Sequence, residues 1–113
     1  FPTANLKPHN RVVPRFGVYA SATLIDGAWR RSITNIGIRP TFESDAEPSI
    51  ETYIFDFDGD LYGNVLRVRF LYRIRDERKF NGIDELKAQI EKDTRRARNY
   101  FRHQGVKNML EIL

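Results

Sequence analysis

A β-hairpin signal near the N-terminus limits what this chain can fold into. The stretch from Phe16 to Ile25 has the two-residue period of a strand, with one set of side chains predicted on one face and the other set on the opposite face. The first set is Val18, Ala20, Ala22 and Leu24, and the second is Tyr19, Ser21 and Thr23. Asp26-Gly27 follows, a dipeptide that favours a tight two-residue turn, and a second extended stretch runs from Ala28 to Ile36. These two stretches are therefore predicted to pair antiparallel.

Two further strands and a loop are predicted downstream. The stretch from Ser49 to Gly63 begins as a strand rich in β-branched and aromatic residues and ends as a turn at Asp58-Gly59. Leu66 to Ile74 alternates regularly, which indicates a half-buried strand with a basic outer face. The segment from Gly37 to Pro48 contains two prolines and an acidic run, and it is predicted to be a mobile loop.

A helix is predicted after the last strand. Asn81 or Gly82 can cap it, and Asp84 and Glu85 in its first turn suit the helix dipole. A separate short helical stretch is predicted from Val106 to Leu113. The apolar residues that repeat at helical spacing, and that are expected to face the core, are Ile83, Leu86, Ile90, Ala97 and Phe101.

Composition narrows the functional classes. A chain of 113 residues predicts one domain, and the absence of cysteine excludes disulfides and thiolate metal sites. The longest apolar runs are too short to cross a bilayer, so no membrane partner is expected. A formal charge of +4 favours anionic partners such as nucleotides, flavin phosphate or nucleic acid, without choosing among them.

The aspartates at positions 56, 58 and 60 suggest two enzyme or metal motifs that fail on closer inspection. The segment resembles the nucleophile loop of haloacid-dehalogenase-type phosphatases, but Asp60 stands where Thr or Ser is normal, and the chain lacks the helices of a doubly wound sheet. An EF-hand would need Gly where Leu61 stands. These aspartates are therefore predicted to form a solvated acidic turn.

A closer resemblance rests on the segment from Glu51 to Phe57 followed by Asp60-Leu-Tyr-Gly63, which is similar to the signature of riboflavin kinases. Other segments agree with that family in the same order, so that the resemblance spans Phe1 to about Asp93. It looks like the bacterial form, the C-terminal domain of a bifunctional riboflavin kinase and FMN adenylyltransferase. The agreeing segments are Phe1–Leu6, Phe16–Ala20, Asn35–Phe42 and Arg75–Phe80 leading into Leu86–Ile90.

The resemblance implies a mainly β fold, a six-stranded antiparallel Greek-key β-barrel with a C-terminal α-helix. The family's first strand and a Gly-rich ATP-contacting segment would precede Phe1, so residues 1–113 are predicted to be an N-terminally truncated kinase domain of a larger chain. Activity is therefore expected of the parent and is an open question for the fragment. The parent is expected to carry an N-terminal adenylyltransferase domain that converts FMN to FAD, and to be cytoplasmic.

The resemblance also implies the site residues. Glu51 would be the catalytic residue, accepting the proton of the riboflavin 5′-hydroxyl as it attacks the γ-phosphorus of ATP. Pro2, Thr3 and Asn5 belong to the family's Pro-Thr-Ala-Asn motif, in which the Thr3 hydroxyl and the Asn5 oxygen would bind Mg²⁺ and the terminal phosphates. The substrates would be ATP and riboflavin, and the products ADP and FMN.

The flavin site is expected where the last strand meets the helix. By resemblance, Arg75 and Glu77 lie in that site, and Phe80 could pack near the flavin ring, although an apolar residue there is more often part of the core. A further family motif, which contains Asn35, Arg39 and Thr41, is expected to fold over the ligands as a lid that excludes water.

A rival hypothesis from another class is a small basic β-barrel that binds nucleic acid without catalysis. Basic residues surround the predicted helix beside Tyr100 and Phe101, a combination that single-stranded nucleic acids favour. A basic solvated helix face is commoner than a binding site, so the kinase hypothesis, with no nucleic-acid partner, is preferred. The basic residues are Lys92, Arg95, Arg96, Arg98, Arg102 and Lys107.

Overall fold

One antiparallel sheet and one helix make up the described part of the chain. The computed structural model describes residues 4–6, 14–39, 47–59 and 67–112. In these ranges five strands form a sheet of order β1-β4-β3-β2-β5, followed by the helix, which confirms the mainly β prediction with a C-terminal helix. The elements are β1 (Ala4–Leu6), β2 (Gly17–Ile25), β3 (Ala28–Arg39), β4 (Glu47–Ile54), β5 (Arg67–Arg75) and α1 (Ile83–Ile112).

The hairpin between β2 and β3 forms as predicted. Asp26 and Gly27 have φ angles of 50° and 80°, the positive values that a tight turn between right-twisted strands requires. The loop predicted from Gly37 to Pro48 is wrong at both ends, because β3 continues to Arg39 and β4 begins at Glu47. Ladder pairing with the opposite strand extends each strand into that segment despite its prolines. Residues 40–46 lie outside the described part.

The two faces of the sheet bury different clusters. On one face Tyr19, Ile36 and Ile50 form a cluster with the half-buried Leu6 and Phe70. The opposite face is covered by the middle of α1. The buried residues of this second cluster are Val18, Ala20, Ile33, Phe55, Ile74, Ala97 and Phe101. Because register partners share a face, the clusters also fix which side chains can meet at a site.

A chain of buried hydroxyl groups runs across the first of these faces, through β2, β3 and β4. Its members are at most 1 % exposed, and adjacent oxygen atoms lie 2.7 to 2.8 Å apart. Each hydroxyl bonds to the next, so that buried polar groups satisfy one another without water. In order across the sheet, this hydroxyl chain is Thr23, Ser32, Ser21, Thr34 and Thr52.

The regular alternation predicted for the last strand is wrong in its second half. The register between β2 and β5 shifts between Ala20 and Ser21 and again between Val18 and Tyr19. Such bulges move the following side chains to the other face. Phe70 therefore contacts Tyr19 edge-on, at 5.1 Å between ring centroids, whereas Tyr72 is 46 % exposed.

The helix is capped as predicted but is packed differently. The Leu86 amide donates to the Gly82 carbonyl at 3.1 Å, so Gly82 is the cap residue. The break predicted before Val106 is wrong, because α1 runs without interruption from Ile83 to Ile112. Ile83 and Leu86 are also not core residues, being 67 % and 38 % exposed. The buried stripe begins about three turns later than predicted and consists of Asp93, Ala97 and Phe101.

Candidate active site

One row of register partners crosses the helix-covered face of the sheet and collects several of the predicted site residues. Glu51 on β4 pairs with Asn5 on β1 and with Asn35 on β3. Asn35 in turn pairs with Val18 on β2, and Val18 pairs with Arg75 on β5. Asn5, Glu51 and Arg75, which are far apart in the sequence, therefore lie in a single row, and Asn35 lies between two of them.

Glu51 lies half-buried in this row. Its strand neighbours Ile50 and Thr52 are buried on the opposite face, as the alternation predicted. The Ser49 hydroxyl donates to Oε1 of Glu51 at 3.3 Å. Cross-strand partners have Cβ atoms about 4.5 to 5.5 Å apart, so the side chains of Glu51 and Asn35 leave neighbouring positions on the same face. The Ser49 bond occupies one oxygen of the carboxylate, which can accept further hydrogen bonds.

Asn35 is half-buried and has an unusual environment for an amide. Its Oδ1 atom is shielded from solvent and has no hydrogen-bond partner in the described structure. Buried amide oxygens are normally paired, and an unpaired one needs a reason. From the sequence, Asn35 was assigned only to a lid. Its place in the family motif Asn35–Phe42 was the signal that could have pointed to a role in the site.

Arg75 is held by a carboxylate that sequence reasoning missed. Nε of Arg75 donates to both oxygens of Asp93, at 2.9 and 3.0 Å, and Nη2 donates to Oδ2 at 2.8 Å. Asp93 is 3 % exposed, and Nε2 of Gln89 also donates to it at 3.0 Å. This buried ion pair ties the end of β5 to α1. The signal in the sequence was that Asp93 lies four residues before Ala97, on the core stripe of the helix.

The segment 76–80 between β5 and α1 is fastened to the helix by a second arginine. Arg78 donates to Glu85 and to Gln89, each at 2.8 Å. The ring of Phe80 lies under both guanidinium groups. Its centroid is 5.8 Å from Cζ of Arg75 and 5.0 Å from Cζ of Arg78. Phe80 is therefore a half-buried platform for two cations, which is the kind of packing expected of a local core residue.

The start of this segment is fixed by Arg73. Its Nη1 pairs with Asp76 at 2.6 Å, and Nη2 donates to the carbonyl of Phe16 at 2.6 Å. The Asp76 carboxylate raises the pKa of Arg73 above its ordinary value. Gly17 lies directly beneath, where a Cβ would come within 2.9 Å of Nε of Arg73, so only glycine allows this close approach.

Glu77 reaches back to the sheet at Gly37. A Cβ built on Gly37 would overlap the Glu77 carboxylate, which therefore occupies the space that any other residue on β3 would fill. Gly37 follows Asn35 on the same face and pairs with Ser49, the residue that donates to Glu51. The predicted residue Glu77 is thus brought beside the row that contains Glu51.

Comparisons with known proteins show the family to which the chain belongs. A family profile described as Flavokinase, riboflavin kinase, matches residues 1–101. The chain belongs to the riboflavin kinase family. It is 46 % identical over 104 residues to a bifunctional riboflavin kinase/FMN adenylyltransferase of Bacillus subtilis strain 168, covering 89 % of this chain and 33 % of that protein. A protein of the same name from Haemophilus influenzae is 41 % identical over 102 residues, with the same coverage.

This member of the riboflavin kinase family spans about a third of the length of the curated relatives it matches. Among solved structures, one described as a macrolide-efflux protein from Streptococcus pneumoniae superposes with a TM-score of 0.79 at 38 % identity. The match covers 87 % of this chain and 32 % of that chain. The fold is therefore shared with a longer protein as well.

Five of the predicted site residues lie wholly or partly outside the described part of the chain. Pro2, Thr3 and Thr41 lie outside the described residues, and of Asn5 and Arg39 only the backbone is described. Within the described ranges, no three His, Cys, Asp or Glu side chains converge as metal ligands. No helix in those ranges is both long enough and apolar enough to span a membrane.

The acidic turn and the basic helix face are separate from this row. Asp56, with a φ of 53°, and Asp58 are exposed on the turn after β4, and Asp60 lies outside the described residues. On α1, Phe101 is 3 % exposed, and Tyr100 stacks on Tyr72 at 5.2 Å between centroids. Phe101 therefore belongs to the core and offers no face for a nucleobase, which weakens the nucleic-acid hypothesis.

Proposed function

We propose that this domain transfers the γ-phosphoryl group of ATP to the 5′-hydroxyl of riboflavin, giving FMN and ADP. The main support is the strand register, which places Glu51 between Asn5 and Asn35 in one row across the sheet. The family profile and the relatives' names support the same chemistry. Phosphoryl transfer asks a protein chiefly to position the reactants and to neutralise charge.

Glu51 is the proposed catalytic residue. A carboxylate is a weak base toward an alcohol, so its contribution is to orient the 5′-hydroxyl and to accept its proton late in the transfer. The hydrogen bond from Ser49 and the neighbouring strands fix the direction in which the carboxylate points.

Mg²⁺ and the phosphates of ATP are assigned to the N-terminal motif. A hard cation that shares phosphate oxygens is suited by neutral hydroxyl and amide oxygens, which Thr3 and Asn5 carry. The register of β1 on β4, which pairs Asn5 with Glu51, fits a metal held beside the reacting hydroxyl. Pro2 belongs to the same proposed nucleotide site. The ion would neutralise charge on the transferred group.

The flavin is assigned to the opposite side of Glu51, toward the segment 76–80. Glu77 borders the row through its contact with Gly37, and Arg75 ends the row on β5. Since Nε and Nη2 of Arg75 already bind Asp93, Arg75 would serve the flavin site partly by fixing this segment.

The whole protein is proposed to do more than the described domain. The relatives are about three times longer and are named as bifunctional, which supports an additional N-terminal adenylyltransferase domain that converts FMN to FAD. A sixth strand would complete the Greek-key barrel, because β1 and β5 each have one strand neighbour in the described residues. A cytoplasmic location belongs to this proposal, since ATP is the proposed phosphoryl donor.

The experiment is a riboflavin phosphorylation assay with ATP and Mg²⁺, in which riboflavin, FMN and FAD are separated by chromatography. The parent protein is expected to make FMN. Glu51→Gln is expected to lower turnover by about a hundredfold or more with nearly unchanged binding of riboflavin and ATP, because the shape is kept and proton acceptance is lost.

Asp58→Asn is the matched control, since Asp58 is an exposed carboxylate on the turn after the same strand. It is expected to leave turnover unchanged. Normal turnover of the Glu51→Gln variant would refute the catalytic assignment, and an absence of FMN with the parent protein would refute the proposed activity. A collapse with Asp58→Asn would revive the phosphatase-like interpretation of the acidic turn.

A further inference from the structure

The unpaired amide oxygen of Asn35 is the feature that the described contacts leave unexplained. It lies on the central strand β3 between Val18 on one side and Glu51 on the other. Of the buried polar side-chain atoms in the described structure, only Oδ1 of Asn35 and Nε of Arg73 lack a partner. Arg73 uses its other nitrogen atoms in two short hydrogen bonds, whereas no partner is found for the Asn35 oxygen.

A purely structural role does not account for this oxygen. A buried polar group without a hydrogen bond destabilises a fold, and an apolar residue would suit a position next to Val18 better. On the opposite face of the sheet, by contrast, every member of the buried hydroxyl chain has a hydrogen-bond partner, with oxygen atoms 2.7 to 2.8 Å apart. The Asn35 oxygen is therefore an acceptor for which the described residues supply no donor.

The position of Asn35 identifies which donor could reach it. Its side chain and that of Glu51 leave adjacent strands on the same face, with Cβ atoms about 4.5 to 5.5 Å apart. A ligand hydroxyl at the Glu51 carboxylate brings its neighbouring carbon within reach of Asn35. In a polyol chain that neighbouring carbon carries a second hydroxyl group, which is a hydrogen-bond donor.

We infer that Oδ1 of Asn35 accepts a hydrogen bond from the 4′-hydroxyl of the ribityl chain while Glu51 holds the 5′-hydroxyl. Asn35 is thus a specificity-determining residue that selects a polyol with vicinal hydroxyl groups. This inference rests on the proposed riboflavin kinase function. An acceptor fixed on a central strand also orients the terminal carbon, so that the 5′-oxygen points toward the phosphate.

The test is a comparison of two substrates on two proteins, all in the full-length protein. We would measure kcat/KM for riboflavin and for 4′-deoxyriboflavin with the wild-type protein and with Asn35→Ala. The kcat/KM of the wild-type protein is expected to fall about tenfold or more when the 4′-hydroxyl is removed, because the buried acceptor is then left unpaired. The kcat/KM of Asn35→Ala for riboflavin is expected to be about tenfold below that of the wild-type protein. Removing the 4′-hydroxyl is then expected to lower the kcat/KM of this variant by less than about twofold further.

Two further variants keep this test interpretable. Asn35→Leu keeps the branched shape and removes the acceptor, so it replaces the alanine variant if that one folds poorly, and the same pattern is expected. Asn99→Ala is the matched control, because Asn99 is an exposed asparagine on α1 whose Oδ1 accepts from Arg102. It is expected to discriminate between the two substrates as the wild-type protein does.

The possible failures are distinguishable. If the wild-type protein phosphorylates riboflavin and both Asn35 variants lose as much as it does when the 4′-hydroxyl is removed, the contact does not exist and the inference is wrong. If the wild-type protein makes no FMN at all, the proposed function fails, and the inference fails with it. Loss of substrate discrimination in the Asn35 variants alone supports the contact.

Discussion

Removing the guanidinium group of Arg75 is expected to destabilise the fold, because it leaves the carboxylate of Asp93 buried without its main partner. The side chain of Asp93 is 4 % exposed and that of Arg75 is 17 % exposed. Arg75→Met keeps the aliphatic part of the side chain and removes the donors. After this change the Asp93 carboxylate retains only the hydrogen bond from Gln89.

The size of the effect follows from this geometry. Breaking a buried ion pair from one side costs about 3 to 5 kcal/mol, and the bond that Gln89 keeps argues for the lower end, about 3 kcal/mol. In a domain of this size that loss lowers the melting temperature by roughly 10 to 20 °C. The double variant Arg75→Met/Asp93→Leu removes both charges and is expected to recover most of the loss.

The assay is urea denaturation followed by circular dichroism and by the fluorescence of Trp29, the single tryptophan. Arg78→Met is the matched control, because its pair with Glu85 is 49 % and 38 % exposed and is expected to contribute no more than about 1 kcal/mol. If Arg75→Met costs as little as Arg78→Met, the buried pair does not stabilise the domain. A normal stability combined with lost riboflavin affinity would instead assign Arg75 to direct flavin contact.

Two further changes test the packing around the site and beneath it. Gly37→Ala is expected to raise the KM for riboflavin several-fold with little change in stability, because the new methyl group displaces the Glu77 carboxylate. The double variant Gly37→Ala/Glu77→Ala checks this in the same kinetic assay, since the second change should relieve the overlap. A KM of the double variant as high as that of Gly37→Ala would contradict the mechanism. Ser21→Ala is expected to lower the free energy of unfolding by about 2 kcal/mol, as it removes two buried hydrogen bonds. Thr94→Ala, whose hydroxyl bonds to the Ile90 carbonyl within α1, is expected to be nearly neutral in the same denaturation experiment, and equal losses for the two variants would contradict this account.

Local signals predicted much of the fold. The turn at Asp26-Gly27 and the strand before it are encoded by neighbouring residues, and both were predicted correctly, although β2 proves to be buried on both faces. The errors arose where a distant partner decides. Pairing with β4 carries β3 through Gly37 to Arg39, and the bulges in β5 depend on its alignment with β2. Ile83 and Leu86 fit the helical period, but the fully buried positions of α1 begin only at Asp93.

The candidate site was predictable in part, for a different reason. Glu51, Thr3 and Asn5 followed from short motifs that a family shares, and the register brings Asn5 and Glu51 together. The pairing of Arg75 with Asp93 could not be predicted, since it depends on where a helix crosses a sheet. The isolation of the Asn35 oxygen could not be predicted either, because a sequence does not record which hydrogen bonds are missing.

The buried hydroxyl chain carries a consequence for spectroscopy. Its five hydroxyl groups share four hydrogen bonds, so one proton must be donated outside the chain, and the bonds can all point toward one end or toward the other. These oxygens are sealed from solvent, and their protons should exchange with water slowly enough to give separate proton resonances in NMR spectra. Such signals would report directly on the interior of the sheet, and binding at the opposite face could be followed as a change in their positions.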